Sequence, residues 1–248
     1  MNTTKKFIFT GICAFILLGF VSEEAKAFQS ERHIGIVRKF KPEVLLKNKD
    51  VDERFNLTLE ENLGEKLFAG DSLFTEEGAY ALVLFMDRSV AKVKPNSLLT
   101  INGEVADTDK QTNTRINLKN GEVFLEVQPQ GNNDFEVSTS RSLASVKGTN
   151  FGSTSDGFVW VENGQVDLTA LNSGQTISLF EKMYGQVDED GNEIIDQGTL
   201  DDVEIKNLKE GYDEMEEDYI QKEETFRFRD QNGQLREITI EFFEREQN

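Results

Sequence analysis

The sequence predicts an all-β fold that closes with an acidic helix and a β-hairpin, and three observations carry the prediction. Between residues 34 and 187 apolar side chains recur with period two in runs of strand length, and Gly, Asn, Asp or Ser bounds each run. No helical stripe of useful length competes there, and strands at close spacing without intervening helices define an all-β domain. The dipeptide Asn-Gly recurs at Asn102-Gly103, Asn120-Gly121, Asn163-Gly164 and Asn232-Gly233, each followed by Glu or Gln and then Val or Leu. Asn-Gly readily takes positive φ at both central turn positions, so each pair is expected to reverse the chain into a new strand.

The strands read in order as YALVLFM (80–86), SVAKVK (89–94), TRINL (114–118), EVFLEV (122–127), DFEVS (134–138), GFVWV (157–161) and QVDLTA (165–170). Their separations are unequal, so no strict repeat is present, although a stack of similar strand–turn units fits the pattern. A body of about 160 residues is long enough to bury a sizeable core.

An export signal precedes this body. Lys5 and Lys6 form a basic start, Phe7 to Val21 is apolar, and Ala25-Lys26-Ala27 supplies a small-x-small cleavage pattern before Phe28. The apolar run is shorter than the roughly 20 residues of a spanning helix, so cleavage after residue 27 is expected in preference to a retained anchor. Cys13 is the single cysteine and lies inside that run. The mature chain would carry no thiol and no disulfide.

Formal charge is −19, and removing residues 1–27 leaves 24 basic and 44 acidic residues, a charge of −20. Such a surface repels phosphate backbones and anionic lipid, which disfavours nucleic acid and membrane surfaces as partners. Residues 188–224 hold sixteen acids against three lysines, which marks a compositional boundary near 187. Three regions follow: a signal at 1–27, a β domain at 28–187, and an acidic helix plus hairpin at 188–248. Leu200, Val203, Leu208, Tyr212, Met215 and Tyr219 share one face at helical spacing, and Gly211 weakens the helix enough to bend it or split it in two. Phe226, Phe228, Ile238, Ile240 and Phe242 then mark the apolar face of a hairpin, with Arg227, Arg229 and Arg236 opposite or nearby. A lone hairpin is marginal in water, so this one is expected to pack on the helix or to extend the main sheet, with helix acids facing its arginines.

The chemistry available to such a chain is limited. His33 is the single histidine, which excludes Ser–His–Asp, Cys–His and multi-histidine zinc sites. No catalytic, cofactor-binding or metal-ligating residue is nominated, and no cofactor is expected. Acid pairs are plentiful enough for glycosidase-type chemistry, but a solvated acidic face accounts for them more simply. The stretch DEDGNEIID offers Asp188, Asp190, Asn192 and Asp196 to calcium, yet Glu193 and Thr199 stand where an EF-hand loop needs Gly and a bidentate acid. A turn at Asp190-Gly191 is the plainer reading. Trp160 is either core or an exposed platform for a sugar or peptide, with core favoured because one aromatic does not make a site.

One further stretch asks for an explanation. The apolar run Leu143-Ala144-Ser145-Val146 stops at Lys147-Gly148-Thr149-Asn150-Phe151 and resumes at Phe158-Val159-Trp160-Val161. With the strands in order, the sequence resembles the FecR domain, the periplasmic sensor module of iron-uptake anti-sigma regulators. The resemblance covers about 34–187. It rests on the Gly70-Asp71 turn, the Thr75 strand end, the Ala81 to Asp87 strand, the Pro95-Asn96-Ser97 turn, the INLKNGEVFLEV segment, and FEVSTSRSLASVKGTNFGS with the strands after it. It implies an elongated stack of strands, solenoid- or sandwich-like, in which 146–151 is a corner. Gly148 would allow the sharp turn, Thr149 would bond backbone groups, and Phe151 would return to the core.

Two departures bear on function. Only Met1 to Lys6 precedes the apolar run, so no sigma-factor contact is expected, and Asp87-Arg88-Ser89 stands where the family often reads Asp-Gly-Ser. The chain is therefore expected to be an exported, periplasmic or extracellular, non-enzymatic module that binds an envelope protein or a surface polymer. The alternative is a carbohydrate-active or calcium-dependent polymer-binding protein.

Overall fold

The structure, a computed structural model, describes residues 32–105, 112–131, 134–215, 219–229 and 233–245. The segment expected to be an export signal, Cys13 and the Ala27–Phe28 junction lie outside the described residues, as does Asn232. The chain alternates between two nine-stranded sheets. β1 (Gly35–Lys41) belongs to the first sheet, β2 (Val44–Lys47) and β3 (Phe55–Asn56) to the second, and β4 (Glu65–Leu67) to the first again. β5 (Ser72–Thr75) lies in the second, then β6 (Tyr80–Phe85) and β7 (Val90–Val93) in the first. β8 (Ser97–Val105) and β9 (Thr112–Asn120) return to the second, and β10 (Glu122–Glu126) to the first. β11 (Phe135–Ser138) and β12 (Ser142–Val146) are in the second, β13 (Asn150–Thr154) and β14 (Phe158–Asn163) in the first. β15 (Gln165–Ala170) and β16 (Thr176–Phe180) close the second, while β17 (Met183–Val187) and β18 (Ile194–Thr199) close the first.

Both sheets carry the early strands toward one end and the late strands toward the other, in the orders β18-β17-β14-β13-β10-β7-β6-β1-β4 and β16-β15-β12-β11-β9-β8-β5-β2-β3. The stacked all-β architecture is as the sequence predicts. The composition changes near 187, but the sheet continues through it, because β18 pairs with β17 from Met183↔Thr199 to Val187↔Ile194.

The two sheets bury their facing side chains in one core. Strands of the second sheet are covered on one face only and alternate strictly: in β12, Ser142, Ala144 and Val146 are buried while Leu143 and Ser145 are partly exposed. Strands β6, β10 and β14 of the first sheet read instead as continuous apolar runs. They are buried on both faces, with Val83, Val123 and Val159 turned to the main core and Leu82, Phe124 and Trp160 in a second cluster on the outer face.

Asn-Gly positions do more than close hairpins. Gly121 (φ +82°) and Gly164 (φ +94°) stand where the chain passes from one sheet to the other, between β9 and β10 and between β14 and β15. Asn102-Gly103 is not a turn at all. It lies inside β8 and pairs with Arg115 and Thr114 of β9, because the long β8–β9 ladder overrides the local preference. Gly233 (φ +79°) marks the tip of the C-terminal ribbon.

The corner at 146–151 performs the same crossing, from β12 to β13. Gly148 has φ +117°, and a Cβ there would lie 3.0 Å from the Pro129 Cα. The Thr149 hydroxyl donates to the Gln165 carbonyl at 2.8 Å and accepts from the Gln165 amide at 3.3 Å, tying this corner to the next one, and Phe151 is fully buried. Gly148→Val is expected to lower stability by about 1–3 kcal/mol through backbone strain. Coincident denaturant midpoints for the two proteins would remove the special status of this position.

Candidate functional surfaces

The motif residues of the FecR resemblance are committed to bracing the scaffold. The Thr75 hydroxyl donates to the Lys94 carbonyl at 2.6 Å and accepts from the Ser97 amide at 3.0 Å, which fastens the Pro95-Asn96-Ser97 turn to the end of β5. Asp87 accepts from the Ser89 amide and hydroxyl, both at 2.9 Å, and from Gln130 Nε2 at 2.7 Å. The Arg88 between them has φ +70° and an exposed side chain. The missing glycine of this turn is thus a strained arginine in the backbone conformation a glycine would adopt freely. Arg88→Gly is expected to raise stability by about 0.5–1 kcal/mol, the relief of left-handed strain exceeding the added freedom of the unfolded chain. A lowered thermal midpoint would show that the arginine side chain stabilises the turn.

Trp160, weighed above as core or platform, is core: it is 2 % exposed. Its ring stacks on Phe124 with centroids 5.2 Å apart, and Phe124 in turn meets Tyr212 at 5.5 Å. The cover comes from residues 200–215. Helix α1 (Asp202–Lys209) starts with a capping box, in which Asp201 accepts from the Val203 and Glu204 amides at 2.8 Å and Glu204 accepts from the Asp201 amide at 2.8 Å. The chain breaks at Gly211 (φ +84°) and continues as a short 3₁₀ turn, Asp213–Met215.

The apolar stripe predicted over 200–219 is therefore shorter than one continuous helix. Leu200, Leu208, Tyr212 and Met215 do pack on the first sheet, but Val203 is exposed and Tyr219 already belongs to a strand. The Tyr212 phenol is pushed well above its ordinary value by burial and by the nearby Glu122 carboxylate. Charges anchor the cover to the sheet beneath it. Lys209 Nζ meets Glu162 at 2.8 Å, Lys39 Nζ donates to the Met215 carbonyl at 3.2 Å, and Lys94 Nζ stands 4.4 Å from the Tyr212 ring centre.

The loop of DEDGNEIID is a hairpin turn between β17 and β18. Gly191 has φ +71°, and the Asp188 carboxylate accepts from the Asn192 and Glu193 amides at 2.6 and 3.0 Å. Among the described residues, no three His, Cys, Asp or Glu side chains are grouped to hold a metal ion. No helix among them is long and apolar enough to cross a membrane.

The C-terminal ribbon departs from the sequence expectation. β19 (Tyr219–Arg229) and β20 (Leu235–Arg245) pair along their whole length, but as a separate two-stranded sheet. It neither extends a main sheet nor packs its apolar face on α1, whose Ile205 and Leu208 are already used in the cluster around Phe124 and Trp160. Phe226, Phe228, Ile238 and Ile240 are 47, 44, 50 and 48 % exposed. Register puts Phe226 opposite Ile238 and Phe228 opposite Arg236, so Arg236 shares the apolar face. The other face carries an Arg227–Glu237 ion pair at 2.7 Å and a Thr225–Thr239 hydrogen bond at 3.1 Å. The Phe242 side chain lies outside the described residues.

Residues 71–167 match the model of the family described as FecR protein. No curated protein matches the chain. Among solved structures it is similar to two crystal structures of a candidate anti-sigma factor from Parabacteroides distasonis ATCC 8503, each with 18% identity and a TM-score of 0.47. The alignments cover 56% of this chain and 65% and 64% of that one, so the chain spans less than two thirds of that protein's length.

Proposed function

We propose that the chain is an exported, non-enzymatic FecR-domain protein that acts as a binding, scaffold or sensory module for an envelope protein or a surface polymer. In this reading residues 1–27 are removed on export, 28–187 form the FecR-like domain, and 188–248 are its extension. The observation that carries the reading is the FecR segment at 71–167, since this domain serves as a sensory module in the regulators it resembles. Supporting it, the motif carboxylates Asp71 and Asp87 and the hydroxyl of Thr149 spend their hydrogen bonds on backbone and turn groups. Nothing in that arrangement converges on a shared reacting point.

Two measurements test the proposal. Intact-mass analysis of protein from the exporting cell is expected to show a chain starting at Phe28, and a product retaining Met1 would overturn cleaved export. Binding to isolated envelopes is expected to survive removal of calcium by a chelator. Binding that requires calcium and follows the polysaccharide fraction would favour the carbohydrate- or calcium-dependent alternative.

A further inference from the structure

We propose that β16 is a docking edge, on which an extended basic segment of a partner envelope protein pairs as a further strand of the second sheet. The class of partner rests on the module reading above, whereas the pairing itself is tested on the purified chain.

The two main sheets end in four edge strands, β3, β4, β16 and β18. Exposed edges invite pairing with other chains, and folds blunt them with short strands, charges, prolines or bulges. Three of the four are blunted in this way. β3 has two residues, β4 has three with Lys66 among them, and β18 carries Asp196 and a register shift opposite Gln186 and Val187. β16 reads Thr-Ile-Ser-Leu-Phe, without charge or proline, and pairs with β15 in unbroken register from Gln165↔Phe180 to Thr169↔Thr176.

The outer side of this strand offers free main-chain groups. The Ala170 amide donates to the Gln175 carbonyl at 2.8 Å, so 170 and 175 form a hydrogen-bonded pair. Antiparallel ladders alternate, so Ile177 and Leu179 also bond β15, while the N–H and C=O groups of Thr176, Ser178 and Phe180 point away from it. Among the described residues no strand lies beyond β16 to receive them. The side chains of these three residues are exposed, and Phe180 is 53 % exposed.

Charge selects the occupant. Residues 171–205, the end of the stack that holds β16, carry nine acids against Lys182 alone, a net −8. Lys182 is itself paired with Asp202 at 2.6 Å. Asp188, Glu189, Asp190 and Glu193 sit in the β17–β18 turn, which is fastened to the approach to β16. There the Asn172 amide donates to the Gly191 carbonyl at 2.8 Å and the Ile194 amide to Gln175 Oε1 at 3.1 Å. Glu181 follows directly on the other end of the strand. A segment laid along β16 therefore meets carboxylates at both of its ends, which favours lysine or arginine there.

A second copy of this chain does not fit. Its own late end brings the same −8, and its early end, residues 48–67, carries six acids against Lys49, Arg54 and Lys66, a net −3. Both approaches set like charge against like. The occupant is a different protein, with a strand uncharged at its centre and basic at its ends.

A peptide of about nine residues, β-branched at its centre with two lysines at each end, outreaches the ~17 Å of β16. Fluorescence anisotropy is expected to show saturable binding that weakens as salt rises. The same peptide with glutamates at its ends should bind about tenfold more weakly or not at all. Amide exchange at Thr176, Ser178 and Phe180 should slow in the bound state. Ser178→Pro removes an outward N–H without breaking the β15 ladder and should weaken binding about tenfold or more. Ser178→Ala, which loses only the hydroxyl bond to Asp167, should bind as wild type. Gln197→Pro blocks the edge of β18 in the same acidic surroundings and should also leave binding unchanged, since the Leu200 amide bond to the Lys182 carbonyl places the Gln197 N–H outward. A lysine peptide N-methylated through its centre keeps its charge, loses its donors and should fail to bind, which keeps the test decisive if proline disturbs the strand. Absence of binding by the lysine peptide, equal binding by the glutamate or N-methylated peptide, or binding untouched by Ser178→Pro would each overturn the proposal. Failure of the wild-type chain to bind envelopes would instead overturn the module reading, so the two failures are told apart.

Discussion

Gly152→Ala is expected to destabilise the protein by about 3 kcal/mol, a large effect for a single methyl group on an interior strand. Across three neighbouring strands, Gly152 of β13 pairs with Phe124 of β10 on one side and Trp160 of β14 on the other. The two rings stack over the glycine, and the position has no side chain because the indole occupies its space. A Cβ at Gly152 would lie 2.1 Å from Trp160 Nε1 and 2.3 Å from Cε2. Neither atom belongs to a flexible end, and Tyr212 packs against Phe124 from the cover, so relief requires moving the aromatic cluster or the strand.

Chemical denaturation measures the loss, and Trp160, the single tryptophan, reports it in fluorescence. Adding Trp160→Phe to Gly152→Ala should give a combined loss smaller than the sum of the two single losses, because the smaller ring vacates the contested volume. Simple additivity, or a midpoint equal to wild type, would contradict the steric account.

Strand positions were legible where periodicity had one cause. FEVS, SLASV and QVDLTA are covered on one face, and the alternation in the sequence is the alternation of burial in β11, β12 and β15. The runs ALVLF, EVFLE and FVWV gave strand length and β-branched content but not the reason for their unbroken apolarity. That reason is the cover at 200–215, a contact between segments far apart in sequence. The same contact explains the misplacement of the ribbon. An apolar stripe on the helix and an apolar face on the hairpin look complementary in sequence, but the helix's stripe was taken by Phe124 and Trp160. Sequence shows that a face needs a partner and leaves the choice of partner to the fold. Asn102-Gly103 failed as a turn for a related reason, since an eight-pair ladder between β8 and β9 outweighs a two-residue preference. Gly148 and Arg88 were legible because the resemblance to a family motif marked their positions, and their positive φ angles are the physical content of that motif.

The second large effect is expected at Asp71, the acid of the Gly70-Asp71 turn, where Asp71→Ala should cost about 3 kcal/mol. The residue is buried, and its carboxylate holds three donors from two separate loops: the Phe68 amide at 2.8 Å, the Lys49 amide at 3.1 Å and Asn48 Nδ2 at 3.3 Å. Its backbone is engaged as well. The Asp71 carbonyl accepts from the Ile101 amide at 2.9 Å, and the preceding Gly70 amide donates to the Ile101 carbonyl at 2.7 Å. Alanine keeps these backbone bonds and strands the three donors, two of which are main-chain N–H groups that cannot turn toward solvent without moving the loops. Leaving a buried donor unmatched costs about 1–3 kcal/mol, so the sum depends on how far the 48–49 turn relaxes to reach water. Asp71→Asn separates the contributions. Its carbonyl oxygen can serve one amide while its NH₂ confronts another donor, so it should lose less than alanine but remain well below wild type. Hydrogen exchange at the Lys49 and Phe68 amides should rise in both variants, and more in alanine. If Asp71→Asn matched wild type in denaturant midpoint and in exchange, the carboxylate would not be the clamp that joins these loops.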